Sequence, residues 1–479
     1  MRSGLRALAI AGAAALVAAP AHAQQPGAGG TSISVPFDKY TLPNGLTVVL
    51  AQDHSTPTVA VEVLYHVGSK NEEVGRTGFA HLFEHVMFTG SGHVPYGLQD
   101  KYTEGVGGEN NGNTTNDFTQ YYETVPANYL QDALWLESDR MGWLLDALDT
   151  TKYNAQREIV KNEKRQSYDN RPYGRVTEIF ANAVYPKGHP YSWPVIGSMA
   201  DLSAASVDDV KAFFRLYYAP NNAVLAIVGD FDAAQTKAWI ARYFTGIPRG
   251  RAVTRPNAAP VTLAAEKRLM YEDRVQVPRL FIEWPTIGSN SSDQYALDIL
   301  ADILSGSRTA RLTKALVYDQ QIATNVFSGQ DTHENVGEFE IAVTPRPGHS
   351  LGELEAATDS VLARIRSDGP TAEELQRSKA GLQLSFLEGL ESNLGKAVRL
   401  AVGQAYRNDP SSEFGGAYAQ YERTTAADVQ RVAQRYLTAG RVVLSVVPIG
   451  KTDMASKPES STLVPPASAA TPPVGGDNR

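Results

Sequence analysis

A constant offset of 219 residues runs through this chain of 479: Asp209-Val210, Tyr217 and Val224-Leu225 recur as Asp428-Val429, Tyr436 and Val443-Leu444. Each copy reads as a helix, a tight turn and an apolar strand. A repeat of that length is a duplicated domain, not one turn of a solenoid. The chain is also long enough for two proper cores. The expected fold class is therefore α+β, with two homologous domains, each a mostly antiparallel sheet packed with helices. The copies span 32–245 and 263–450. The connector 246–262 carries Pro, Gly and Arg249, Arg251 and Arg255, which predicts a solvated, flexible crossing.

Only one copy carries chemistry. His81-Leu82-Phe83-Glu84-His85 reads H-x-x-E-H, the inverse of the commoner H-E-x-x-H metalloprotease pattern. Thr77-Gly78 is an acceptable helix start, and Gly90 stands where a C-terminal glycine belongs. Between them Phe79, Leu82, Phe83, Val86 and Met87 recur at helical intervals and form one stripe. His81, Glu84 and His85 fall on the opposite side, so two imidazoles at i, i+4 can share one metal ion. Glu84 beside them is free to take a proton from water. At the same offset the second copy has Leu300, Ile303 and Leu304, on a helix 296–304 that reads as plain core.

A catalytic zinc site needs a third protein ligand. In the segment 154–163, which Asp149 or Thr150 can cap, Ala155, Ile159 and Glu163 fall along one side. A carboxylate in line with that stripe is costly to bury without a partner. The pattern favours Glu163 as the ligand and leaves Glu158 a solvated residue paired to Arg157 or Lys161. Helix geometry alone does not exclude an ordinary Glu163 on a helix flank. His66, His93 and His189 lack partners at ligand spacing and read as structural or exposed.

With no cysteine, disulfides and thiolate metal sites are excluded. Arg2 and Arg6, the apolar run Ala7–Ala19 and Ala21-His22-Ala23 read as a signal peptide over 1–23. The run is too short for a stable membrane anchor, so the mature protein is expected to be periplasmic or secreted. Cleavage would remove two arginines and no acids, making the net charge of −8 more negative by two, which does not favour nucleic acid. The Gly/Gln-rich residues 24–31 and the Pro/Ala/Ser-rich tail 451–479 are expected to be disordered.

At these residues the chain resembles the pitrilysin/insulinase family, close to its short bacterial members and to the catalytic subunit of mitochondrial processing peptidase. The likeness begins at Tyr40–Leu46. It runs through Val67-Gly68-Ser69, Gly107-Gly108, Asn111–Thr114, Asp117–Tyr121, Leu136–Met141 and Tyr218–Asn222 to Val228-Gly229-Asp230. It implies that His81, His85 and Glu163 bind Zn2+, selecting Glu163 over Glu158. It also implies that Glu84 is the general base and that peptide bonds are hydrolysed by a zinc-activated water. It further implies that the second domain serves packing, enclosure or assembly, and that a strand near Asn111, Thr114 and Thr115 binds the peptide. From the residues alone, the polar segment Thr114–Tyr122 reads as an edge strand to which an extended peptide can add, or Asn110–Asn116 as a loop of turn formers.

Two positions depart from the family pattern. Gln156 stands where a supporting glutamate is usual, seven residues before the ligand. Val317 and Thr324 stand where members carry a substrate-binding arginine and tyrosine. The departure implies a homologous partner subunit that supplies the missing Arg/Tyr pair in a heterodimer. The leading expectation is a zinc endopeptidase acting on unfolded peptides. The alternatives are a non-catalytic assembly subunit and a peptide-binding chamber with little turnover.

Overall fold

The structure is a computed structural model, and it describes residues 33–256 and 258–466. The expected signal peptide, the stretch 24–31 and the tail residues 467–479 lie outside the described residues. The chain from Ile33 onward is one compact unit.

Two six-stranded sheets carry it. The first contains β1 (Asp38–Thr41), β2 (Thr47–Gln52), β3 (Thr58–Tyr65), β4 (Glu109–Thr114), β5 (Thr119–Pro126) and β6 (Ala223–Gly229), in the order β1-β2-β6-β3-β5-β4. The second contains β7 (Lys267–Asp273), β8 (Arg279–Pro285), β9 (Ala323–Thr332), β10 (Gly337–Pro345), β11 (Val442–Pro448) and β12 (Thr462–Leu463), in the order β12-β7-β11-β8-β10-β9. Five strands match position for position, and the outer ones differ, since β1 runs antiparallel to β2 and β12 parallel to β7. Both sheets are mixed, since β2 runs parallel to β6 and β7 to β11, with antiparallel pairs from there to the β4 and β9 edges.

The first half bears α1 (Phe79–Val86), α2 (Leu98–Thr103), α3 (Leu130–Ala147), α4 (Thr150–Glu163), α5 (Val176–Val184), α6 (Met199–Ala204), α7 (Val207–Tyr217) and α8 (Ala233–Phe244). The second bears α9 (Asp293–Ser305), α10 (Leu351–Asp368), α11 (Ala372–Glu388), α12 (Asn393–Arg407), α13 (Gly415–Arg423) and α14 (Ala426–Tyr436). The 219-residue repeat falls on α7–β6 and α14–β11. Even the helix starts correspond: Ser206 and Asp209 form one capping box, Thr425 and Asp428 the other.

The sequence of β6 is apolar along its whole length, and every residue of the strand is buried. A strand buried on both faces needs cover on both. The inner face of the first sheet packs with α1, α3, α7 and α8 in one core. Its outer face, with Val49, Ala51, Ala60, Val224 and Ala226, is covered by Ala397, Leu400 and Ala401 of α12, a helix of the second half. The exchange is reciprocal. Val176, Ile179, Phe180 and Val184 of α5 pack on Tyr271, Phe281, Val442, Leu444 and Val446 of the second sheet. The intervals 32–245 and 263–450 thus mark two sheets, each relying on the other interval for one of its coverings.

Polar contacts add to this seam. Lys70, 2% exposed, pairs with Asp117 at 2.8 Å and with Glu334, while the Glu334 N–H donates to Asp117 at 2.9 Å. The connector is more tightly held than its composition suggests, because Arg255 donates to the His66 carbonyl and to Asn222 Oδ1 (2.7 Å). The expected disorder of the tail is corrected for its first part. Thr462 and Leu463 pair with Leu269 and Met270 as β12, the place that β1 fills in the first sheet.

Candidate metal centre

Helix α1 is set by its start. Gly78, the N-cap, has φ +92°, and a β-carbon there would meet the Ile196 carbonyl at 2.9 Å. The exposed N–H groups that every helix start carries are met by Glu72, whose carboxylate accepts from Gly78 (2.9 Å) and Ala80 (2.8 Å). Thr77 is fastened to Asp201 through both its hydroxyl (2.6 Å) and its N–H (3.1 Å). Phe79, Leu82, Phe83 and Val86 are buried in the first core as the spacing predicts. The polar side is not solvated: His81 is 9% exposed, and Glu84 and His85 are half-buried.

Helix α4 begins at Asp149, whose side chain accepts from the Lys152 N–H. The stripe drawn through Ala155 and Ile159 is corrected by the structure. Ile159 is 47% exposed, and the buried face of α4 runs through Tyr153 and Val160. Glu163 stands on the open side, at the point where α4 meets α1. Glu158 faces solvent and pairs with Lys161 (3.0 Å) and Arg157 (3.6 Å). Gln156 lies half-buried two turns before Glu163.

The structure brings His81, His85 and Glu163 together. One nitrogen from each ring and one carboxylate oxygen all lie within 4.8 Å of one another, and no other such group occurs among the described residues. Glu163 Oε2 is 3.3 Å from His85 Nε2 and 3.7 Å from His81 Nε2. Donors about 2.0–2.1 Å from a tetrahedral ion stand about 3.3 Å apart, so the set fits a divalent metal. Burial brings the His81 imidazole down to about 4, with Glu163 opposing and His85 adding to the shift. The bond to His85 lowers the Glu163 carboxyl against its partial burial. Two imidazoles and one carboxylate, the composition of this set, are ligands suited to zinc. His81 Nδ1 is buried without a hydrogen-bond partner among the described residues.

Glu84 lies beside the set, turned toward the sheet. Burial raises its carboxyl above the ordinary range, opposed by a hydrogen bond from Thr114 and by His85. The edge strand is β4, Glu109–Thr114, and not the segment 114–122, because β5 is paired on both sides. Asn111 is exposed on that edge. Thr114 touches Glu84, whereas the Thr115 hydroxyl closes its own turn by donating to the Phe118 carbonyl and accepting from the Asp117 N–H. Thr115 is thus a turn former.

In the second half Leu300, Ile303 and Leu304 are 0–1% exposed within the second core. Val317 packs against that core and Thr324 donates to the Thr344 carbonyl at 3.3 Å. Arg311 is engaged by Glu374 at 2.7 Å. His66 pairs with Glu334, His93 with Asp139, and His189 stacks on Tyr185.

A family model described as Insulinase (Peptidase family M16) matches residues 47–192, and one described as Peptidase M16 inactive domain matches 204–382. The chain belongs to the M16 peptidase family. It is 28% identical over 403 residues to the zinc protease PqqE of Helicobacter pylori, covering 83% of this chain and 90% of that one. It is 24% identical to the zinc protease YmxG of Bacillus subtilis, with 75% and 86% covered. Among solved structures, a protease from Helicobacter pylori superposes with a TM-score of 0.81 at 27% identity, covering 86% of this chain and all of that one. Complex III2 from Candida albicans shares the fold, with a TM-score of 0.72 at 14% identity over 89% of this chain. The gap between the two family matches, 193–203, leaves α5 with the first match and puts α7, β6 and α8 with the second, so it does not coincide with the division between the two sheets.

Proposed function

We propose that this chain is a zinc endopeptidase for unfolded peptides, completed by a homologous partner subunit. The observation that carries this reading is the convergence of His81, His85 and Glu163 next to a carboxylate and a free sheet edge. Zinc, when bound by those three side chains, supplies Lewis-acid polarisation. Glu84 accepts the proton of the attacking water and passes it to the leaving amine. Thr114 stands beside the Glu84 carboxylate and favours its charged form. An extended peptide adds to β4 by main-chain hydrogen bonds, with Asn111 beside it.

The partner subunit is proposed because neither Val317 nor Thr324 can polarise a substrate carbonyl. A second reading, a peptide-binding or assembly subunit with little turnover, draws on the same two residues and on the inactive-domain match over 204–382. Metal analysis combined with cleavage of a quenched peptide, with and without a co-expressed homologous subunit, separates the two. Bound zinc and cleavage that rises with the partner support the first. Bound zinc with no cleavage in either preparation supports the second. We also propose export from the cytoplasm, on the pattern of residues 1–23. N-terminal sequencing of the mature protein from its native host checks it, and an intact Met1 would end the idea.

A further inference from the structure

A cavity of about 360 Å³, within the usual range for ligand sites, is lined in part by Tyr168, which follows Glu163 closely in the chain. One wall comes from the first half, with Tyr168, Tyr191 and Trp193. The other is the β8–β10–β9 side of the second sheet, with Glu283, Glu340 and Phe327. Tyr168 lies in the π-helical turn Lys164–Asp169 that follows Glu163. Burial, and then Glu163 and Glu84, raise its hydroxyl.

The acidic side of this cavity is unusual. Glu283 on β8 stands directly opposite Glu340 on β10. Like charges at that register destabilise a sheet. No described residue forms a hydrogen bond or ion pair with either carboxylate, although Glu283 is only 7% exposed and lines the cavity. Neither cation nearby pairs with Glu283. His333 pairs with Glu338 at 3.0 Å, and Glu338 also accepts from the Tyr185 hydroxyl. Arg279 donates to Thr344 at 2.9 Å and lies over the Tyr173 ring at 4.2 Å; it forms no ion pair with Glu340, though its charge opposes the upward push of burial on that carboxyl. A buried carboxylate without a partner is costly. Burial, followed by Glu338, Glu340 and Asp331, holds the Glu283 carboxyl well above its ordinary range, as expected where no counter-charge is built in.

We propose that this cavity receives the guanidinium or ammonium group of a basic side chain in the bound peptide, with Glu283 and Glu340 as its counter-charges. Aromatic faces beside two unpaired carboxylates suit an organic cation. A metal ion is the poorer occupant, because these carboxylates do not form a three-donor set of the kind found at His81, His85 and Glu163. Asn116, two residues past the end of β4, also lines the cavity, so a peptide added to that edge leads into it. This inference rests on the peptide-binding part of the proposed function. It assigns a preference for substrates with Arg or Lys.

The test measures binding without turnover. Full-length Glu84→Gln protein is titrated calorimetrically with a short peptide, acetylated and amidated, that carries a single Arg, Lys, citrulline or norleucine. The Arg and Lys peptides are expected to bind about ten-fold more tightly than the citrulline and norleucine peptides, a difference of about 1.4 kcal/mol. The preference should disappear when Glu283→Gln and Glu340→Gln are added, while the melting temperature holds or rises as the opposed charges go. Glu340→Gln alone, on the less buried partner, reports the same loss if the combined variant does not fold. Equal binding of Arg and citrulline peptides would overturn the proposal, as would a preference that survives both substitutions. A Glu283-dependent gain seen only with a free N-terminal amine would also overturn the side-chain assignment. Arg-selective binding, with no hydrolysis of that peptide by the unsubstituted chain and its partner, sinks the peptidase reading and leaves the cavity. Hydrolysis with no basic preference does the reverse.

Discussion

The same topology is built twice in this chain, and the two copies differ most at one helix. In the first, α1 brings two imidazoles and a carboxylate to a half-buried face. In the second, α9 places Leu300, Ile303 and Leu304 at the matching positions, all fully buried. The first copy keeps polar atoms out of water, including an unpartnered His81 Nδ1. The second uses those positions for packing. A fold whose core is supplied by sheet and helix stripes tolerates either choice at this face, so chemistry can be confined to one copy without altering the architecture of either.

Substitutions that exchange the two roles should break or sharpen this contrast. The largest effect is expected from Glu84→Gln. Turnover should fall by about 10²–10⁴-fold while metal content is retained, measured by quenched-peptide cleavage and metal analysis on one preparation. Near-native cleavage would remove Glu84 from the mechanism. His81→Leu makes the first copy resemble the second. It should abolish stoichiometric zinc and cleavage, yet leave the metal-free melting temperature unchanged or raised, because an apolar group replaces a buried unsatisfied one. In the second copy Leu300→Ala should cost about 2–5 kcal/mol in denaturant unfolding and leave zinc stoichiometry untouched.

The exchanged helices make a further prediction. Phe180→Ala in α5 and Leu400→Ala in α12 should each destabilise the protein by about 2–5 kcal/mol, and calorimetry should show one shared transition. Two separable transitions would mean that the halves melt independently. The smallest effect is a pH dependence at the seam. Burial pushes the Glu334 carboxyl up, but His66 and Lys70 outweigh it and hold it down to about 2 against its usual 4.5. A depressed carboxyl adds stability above its unfolded value, and that contribution fades as pH falls from about 4.5 through 2. Glu334→Gln should flatten the loss of stability over that interval, as followed by urea unfolding.

Much of the site was legible because its parts are local. His81, Glu84 and His85 share one short helix, and the i, i+4 rule needs no knowledge of the rest of the chain. Glu163 was reached by a stripe argument that the structure does not support, since Ile159 is exposed; its selection rested on resemblance. Glu72, Asp201 and the Lys70–Asp117–Glu334 cluster went unread. Each acts through partners whose positions in sequence carry no period. The same holds for Glu283 and Glu340, which become neighbours only once strand register is known. The duplication was visible as an offset, but the covering of each sheet by the other copy was not, because apolar helices such as α5 and α12 do not encode which surface they will meet.

That mutual covering also bears on synthesis. The outer surface of the first sheet waits for Ala397, Leu400 and Ala401, which leave the ribosome long after β6. Until then a broad oily surface stands bare on a nascent chain, so about 170 further residues must be made before this protein can bury what it made first.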